Sequence, residues 1–356
     1  VKKLIQLGYR VCVETNAGRE SNIPDAQYEA AGALISTDAR AVWSTSDLII
    51  KVRPPGLHPD LGIHEADVLR EGGAVISFLW PAQNRELLER LGARRATVLA
   101  VDQVPRITRA QKMDALSSMA NISGYRAAIE AANAFGRSFM GQITAAGKVA
   151  PAKVLVIGAG VAGLAAIGVC RGLGALVRAF DTRPVVKEQV QSMGAEFLEI
   201  DIAEDGTGQG GYAREMSQAF VDAEMALFMA QAKEVDIIIT TAQIPGKRAP
   251  LLITRDMVKH MREGSVIVDL AAEQGGNCEL TVPGQITVHH GVTVIGITDL
   301  PSRLPSTSSQ LYATNLYHLI QELGKTAADF RIDLEDEVVR GALVLHRGEL
   351  TWPPPP

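Results

Sequence analysis

Residues 153–181, KVLVIGAGVAGLAAIGVCRGLGALVRAFD, run as an apolar strand, a glycine turn, an apolar helix, a second strand and a terminal carboxylate. Val154 to Ile157 are apolar without a break, as a strand buried on both faces of a parallel sheet requires. Gly158, Gly160 and Gly163 follow as GxGxxG. Gly158 permits the tight turn, Gly160 lets the backbone approach a pyrophosphate, and Gly163 lets the new helix pack closely on the strand. The unpaired N–H groups that open the helix, from Val161 and Ala162 onward, attract negative charge with the help of the helix dipole. Residues 175–180 read as the second strand, and Asp181 ends it 18 residues after Gly163. A carboxylate there accepts both ribose hydroxyls of NAD and repels a 2′-phosphate, which argues for NAD(H) over NADP(H). Thr182 and Arg183 follow; Arg183 would meet a phosphate only if Asp181 turned away.

The chain around this unit has the composition of a water-exposed enzyme. Its 356 residues, 47% hydrophobic and 21% charged, suffice for two domains. A net charge of -5 and a pI near 5.9 leave no basic face for nucleic acid. Cys12, Cys170 and Cys278 are scattered, without metal or redox spacing, and read as idle thiols in a reducing compartment. No apolar run approaches the ~20 residues of a membrane helix, and no signal peptide opens the sequence. The opening VKKLIQ reads as a helix already under way, so a piece of the natural N-terminus is expected to precede Val1.

Strand-like runs over 10–14, 48–52, 74–78 and 97–100 alternate with helical stretches, the pattern of a parallel α/β domain. A long helix over about 113–135 leads to the glycine turn, and further strands are expected over 196–200, 235–240, 265–269 and 292–297. A second long helix spans about 308–323, and the tail, with a strand over 338–345, returns to the first domain. The expected architecture is two Rossmann-like, doubly wound parallel-sheet subdomains around a cleft, linked by two long helices: 1–115 with 312–356, and 116–311. The acidic, glycine-rich 201–211 segment, DIAEDGTGQGG, reads as an exposed loop or hairpin too poor in apolar residues to pack on its own domain, and is expected to reach a second copy. Trp352 and four prolines form a stiff, linker-like end.

Chemistry beyond the clamp gathers in 105–118, PRITRAQKMDALSS, which carries Arg106, Arg109, Gln111, Asp114, Ser117 and Ser118 just before the first long helix. Gln111 can hydrogen-bond a nicotinamide amide, and Arg106 with Asp114 can form a pair that fixes the loop. Asp114 and the serines are equally ordinary helix-capping residues, and spacing alone leaves both readings open. Asp269 ends another strand of the dinucleotide domain, where ligands bind in such sheets, with Glu273 and Asn277 nearby. The 241–250 loop, TAQIPGKRAP, begins with Thr241 and Ala242 and reads as a lid or an ordinary loop. None of the seven histidines has a spaced metal partner, and no nucleophile motif is present. A clamp without an acid or base suits direct hydride transfer between two nicotinamides, where the protein only positions the reacting carbons.

The motifs RAQKMDALSSMANISGYRA, the glycine turn itself, AFDTRP, TTAQIPGKRAP, GSVIVDLAAEQGGNCELTVPG and DLPSRLPSTSSQLY closely resemble domain I of the proton-translocating NAD(P) transhydrogenases, over the whole chain. The family's opening strand would precede Val1. The resemblance implies an NAD(H)-binding homodimer that exchanges hydride with NADP(H) held on a separate domain III, while a membrane domain II couples the exchange to proton translocation. It implies that Arg106, Gln111, Asp114 and Ser117 serve the nicotinamide end, with Gln111 nearest the transfer point, and that the glycines and Asp181 hold the pyrophosphate and ribose. It places the domain at the cytoplasmic face of a bacterial inner membrane or the matrix side of a mitochondrial one. The rival resemblance is to alanine dehydrogenase, whose substrate lysine Lys51 resembles; where that enzyme's catalytic histidine would fall, this chain has Trp80. Without that base, amino acid oxidation loses its proton acceptor. A third reading is a regulatory module that binds NAD without turnover.

Overall fold

The computed structural model describes residues 1–208, 214, 216–243 and 248–354. The chain divides into two compact units, Val1–Ser118 with Pro305–Pro356, and Met119–Leu304. In chain order the strands are β1 (Cys12–Glu14), β2 (Leu34–Ser36), β3 (Leu48–Ile50), β4 (Ala74–Ser77), β5 (Thr97–Ala100), β6 (Gln142–Thr144), β7 (Gly147–Val149) and β8 (Lys153–Ile157). They continue as β9 (Leu176–Phe180), β10 (Glu196–Phe197), β11 (Ile237–Thr240), β12 (Val266–Asp269), β13 (Ile286–His289), β14 (Val292–Ile295), β15 (Leu343–His346) and β16 (Glu349–Leu350).

In the second unit a seven-stranded sheet has the order β10-β9-β8-β11-β12-β14-β13, parallel except for β13. Sequence order reverses between β8 and β11, the switch point at which such sheets bind ligands outside their carboxyl ends. Both faces are covered, which explains the unbroken apolar runs. Val154, Val156, Ile237, Ile239, Val266 and Val268 enter one core, and Leu155, Ile157, Ile238 and Ile267 enter the other. Helices Ala115–Ala134 and Val161–Gly172 pack on the first face through Ala127, Ala131, Ala166 and Ile167. Helix Gln218–Ala232 covers the second through Phe220 and Phe228. β13, unanticipated from sequence, forms a hairpin with β14. Its turn is His290 and Gly291, at φ 51° and 74°, so the histidine pair belongs to a tight turn.

The first unit departs from an all-parallel sheet. β3, β4 and β5 are parallel, but β15 joins β5 antiparallel and β16 follows, while β1 and β2 form a separate parallel pair. The tail expected as a strand over 338–345 begins instead as a helix, Glu337–Ala342, because the Asp336 carboxylate caps the N–H groups of Val338 and Val339. Strand geometry starts only at Leu343. Trp352 donates its indole N–H to Gln103 and packs on the first unit's core; Pro355 and Pro356 lie outside the described residues.

Candidate nucleotide site

The GxGxxG segment forms the turn between β8 and helix Val161–Gly172. Gly158 adopts φ 94°, and a Cβ there would stand 2.4 Å from Thr241 Oγ1. A Cβ on Gly163 would lie 1.8 Å from the Gly158 carbonyl oxygen, so the helix sits on the turn as closely as backbone allows. Gly160 differs from both. Its Cβ would meet only the Arg183 guanidinium, at 3.8 Å, which leaves open space above the turn. No side chain caps the helix there, and Val161 is half exposed although apolar. Uncapped N–H groups beside a backbone that only glycine leaves bare fit a diphosphate. Sequence reading missed a further contact: a Cβ on Gly124 would lie 1.9 Å from the Ala162 carbonyl, so the preceding long helix also presses on this turn. An isolated glycine inside a helical pattern was the available signal.

Asp181 stands just past the end of β9 with its side chain 5% exposed. Its carboxylate accepts from Ala159 N–H at 2.7 Å and Arg183 N–H at 2.9 Å, and from the Arg183 guanidinium through Nε at 2.8 Å and Nη2 at 2.7 Å. The pair raises the arginine's pKa through that hydrogen bond. Thr182 Oγ1 is buried without a hydrogen-bond partner among the described residues. A neighbour unanticipated from sequence is Glu224 on helix Gln218–Ala232, 8% exposed. Burial first, and then the charge of Asp181, push its carboxyl up to about 7.

This raised value has a stability consequence of definite sign. Between about pH 4.5 and 7 the folded protein holds a proton that the unfolded chain has released, so stability falls as pH rises through that window and stays lower above it. Glu224→Gln is expected to flatten the slope and to be the more stable protein at pH 8, by on the order of 2–3 kcal/mol. Denaturant melts at pH 5 and pH 8 check it; parallel pH dependence in the two proteins would contradict it.

The residues after β11 and β12 form a support beneath the turn. Thr241 Oγ1 donates to the Ile157 and Gly158 carbonyls, at 3.3 and 3.0 Å. Asn277 donates to the Ala242 and Pro250 carbonyls, at 2.9 and 2.8 Å, and so ties together the two ends of the 241–250 loop. Asp269 accepts from the N–H groups of Ala271, Asn277 and Cys278 and from the hydroxyls of Thr240 and Thr281. Asp269 and Asn277 are 0% exposed. These bonds tie both side chains to the scaffold of their own unit. Residues 244–247, the middle of the loop considered as a lid, lie outside the described residues.

The described part of the 201–211 segment is a largely exposed loop, as expected, but it also packs on its own unit. Ile202 packs against the core of its own unit, Gly206 is buried against Thr182 and donates its N–H to the Thr182 carbonyl, and Glu204 accepts from Ser217. Residues 209–211 lie outside the described residues.

In the first unit, residues 105–118 hold both the helix cap and the Arg106–Asp114 approach. Asp114 accepts from Ser117 N–H at 2.8 Å and Ser117 Oγ at 2.6 Å, capping helix Ala115–Ala134, and also stands 4.0 Å from Arg106 Nε. Ahead of it, the 3-10 turn Thr108–Met113 is pinned by fully buried Ala110 and Met113, by Arg109 paired with Asp336 and Glu322, and by Asn315 donating to the Lys112 carbonyl. Gln111 projects from that pinned turn, exposed, with no hydrogen bond to its carboxamide among the described residues. Elsewhere in the unit Lys51 pairs with Glu65 and lies over the Trp43 ring, and Trp80 stacks on Phe78. Among the described residues no group of three His, Cys, Asp or Glu side chains is arranged to hold a metal.

Residues 1–123 match the alanine dehydrogenase/PNT N-terminal domain and residues 127–353 the alanine dehydrogenase/PNT C-terminal domain. The chain belongs to this family. The NAD(P) transhydrogenase alpha subunits of Haemophilus influenzae and Cereibacter sphaeroides are 58% and 54% identical over 98% and 99% of the chain, which spans 67% of each. A transhydrogenase structure from Sinorhizobium meliloti superposes with a TM-score of 0.87 at 41% identity, covering 98% of this chain and 93% of that one. An L-alanine dehydrogenase structure superposes at 0.81 with 26% identity, over 99% and 91%. The chain is thus a transhydrogenase component, and alanine dehydrogenase is the more distant branch. No helix among the described residues is long and apolar enough to cross a membrane.

Proposed function

We propose that the chain is the NAD(H)-binding component of a proton-translocating transhydrogenase, passing hydride to or from NADP(H) held by a partner domain III while a membrane domain II couples transfer to proton movement. The observation that carries this reading is the bare Gly160 turn with Asp181 at the end of the next strand, in a chain of transhydrogenase ancestry. When bound, the nicotinamide supplies the carbon that carries hydride; this chain's residues hold and orient. The uncapped N–H groups after Gly160 hold the diphosphate and Asp181 the adenosine ribose. Gln111 orients the nicotinamide amide, on a loop that Asp114, Ser117 and Arg106 keep in shape. Trp80 stands where alanine dehydrogenase's base would fall and cannot take a proton from an amino acid, and the Lys51–Glu65 pair occupies the lysine that such a substrate would need. We further propose a homodimer at the cytoplasmic or matrix face of an energy-transducing membrane; sedimentation of the 38.0 kDa chain as a monomer would refute the dimer.

The test mixes the chain with an NADP-binding domain III and follows hydride exchange between NADH and an NADP analogue. Absence of exchange at saturating cofactor would defeat the enzymatic reading, and alanine-dependent NADH formation would favour the rival. For the ribose contact, Asp181→Asn is expected to weaken NADH binding roughly ten- to a hundredfold, since a hydrogen bond to a charged group contributes about 1.5–3 kcal/mol. Its preference over NADPH should narrow, because a 2′-phosphate meets less repulsion. Unchanged titrations with both cofactors would remove Asp181 from the site.

A further inference from the structure

Two groups at the carboxyl end of β9 are left over by the reading above. Glu224 belongs to the buried stripe Phe220, Glu224, Phe228 of helix Gln218–Ala232, at helical spacing of four. Phe228 meets Phe180, the last residue of β9, edge-on with ring centroids 5.2 Å apart. The helix joins β10 to β11, two parallel strands of one sheet, and so runs against the strand direction; one turn back from Phe228 moves about 6 Å toward the carboxyl end, to the level of Asp181 and Thr182. There the residue as a whole is 8% exposed, and its carboxyl makes no hydrogen bond among the described residues. Polar groups are seldom buried so without a purpose.

The second group is the Arg183 guanidinium. The Asp181 carboxylate has room for about four donors and among the described residues has four: two backbone N–H groups that belong to the turn, and Nε and Nη2 of Arg183. A ribose diol brings two donors. It can be accepted only where the guanidinium now sits, as a two-for-two exchange that leaves the backbone bonds intact. The exchange removes a cation from Asp181 and puts a neutral diol in its place, so the uncompensated Asp181 charge then faces Glu224.

We propose that Glu224 is a proton-carrying residue of the nucleotide subsite, taking up a proton from solvent when the adenosine ribose of NAD(H) displaces Arg183 from Asp181. The inference rests on the assignment of Asp181 to the ribose. The proton neutralises Glu224, so the buried pair keeps a single negative charge and the diol its acceptor. Other charges around Glu224 are already matched among the described residues. Glu204, ahead of the helix, is held by Ser217 and Arg214; on the neighbouring helix Arg255 pairs with Glu279 and His260 with Asp256; near β10, Glu199 pairs with Lys187. Asp181 is the group whose charge acts on Glu224. NAD(H) affinity should accordingly fall as pH rises from 6.5 to 9, because the proton that must be acquired becomes scarcer.

Isothermal titration of NADH into the chain, at pH 7.5–8 in phosphate and in Tris, reads proton uptake from the difference in heat between buffers. The parent is expected to take up several tenths of a proton per NADH and to lose affinity several-fold between pH 6.5 and 9, whereas Glu224→Gln takes up none and has flat affinity. The buffer comparison on the parent alone already decides the matter if the variant misfolds: zero uptake overturns the proposal. Equal uptake by parent and Glu224→Gln overturns it as well, by assigning the proton elsewhere. Asp181→Asn separates the two levels. Unweakened NADH binding in that variant brings down the ribose assignment and this inference together; weakened binding without Glu224-dependent uptake brings down this inference only.

Discussion

Gln111→Asn should bind NADH with less than a tenfold change in affinity and transfer hydride roughly a hundredfold more slowly. The asymmetry follows from how the residue is held. Ala110 and Met113 on either side are fully buried, and Arg109 and the Lys112 carbonyl are tied to Asp336, Glu322 and Asn315. The backbone therefore stays where it is when the side chain shortens by one methylene, and the carboxamide withdraws by about one bond length. A misplacement of about 1 Å between reacting atoms can cost on the order of a hundredfold in rate. One exposed hydrogen bond contributes only about 0.5–1.5 kcal/mol to binding. Stopped-flow transfer with domain III, beside an equilibrium NADH titration, measures both quantities. Transfer at the parent rate, or a defect confined to NADH binding, would show that residues 105–118 act as a helix cap and nothing more.

The second large effect is structural. Asp269→Ala is expected to cost about 3–5 kcal/mol of stability, because it strands three buried N–H groups and two hydroxyls around a side chain that is 0% exposed. The losses do not add in full, since the loop relaxes and admits water. NADH binding should weaken alongside, as Asn277 would no longer hold Ala242 and Pro250, and the support that Thr241 gives Gly158 would loosen. In a domain of this size each kcal/mol moves the melting temperature by about 2–4 °C, so a drop on the order of 10 °C is expected. A shift of under about 2 °C would mean that the five bonds are dispensable.

The difference between the two cases explains why some of the site was legible in advance. Gly158, Gly160, Gly163 and Asp181 are close in sequence, and their spacing reflects one strand, one turn and one helix. Asp269 ends a strand at the ligand-binding end of the sheet, just as Asp181 does, and the two are indistinguishable by position. Only the packed structure shows that one is enclosed by five donors of its own unit, while the other shares its lone pairs with the Arg183 guanidinium. The acidic 201–208 stretch is largely exposed as its low apolar content argues, yet it also touches its own unit through backbone contacts such as Gly206 on Thr182, which need no apolar side chain.

Local spacing determined the dinucleotide unit, the two long helices and most strands, because a strand buried on both faces must be apolar throughout and a glycine turn against a helix admits no Cβ. It determined as well the kinship that points to hydride transfer without an acid or base. Tertiary structure alone decided what depends on distant parts of the chain meeting. It turned the first sheet mixed by bringing β15 antiparallel to β5, and it made the segment from Glu337 a helix under the Asp336 cap. It also set Glu224, an acid in an otherwise apolar stripe, at the level of a carboxylate 43 positions earlier in the chain. Sequence periodicity marks that position as facing inward. Which charge it meets there depends on the packing of helix Gln218–Ala232 against β9; burial first, and that charge second, keep the proton on Glu224 to near neutral pH.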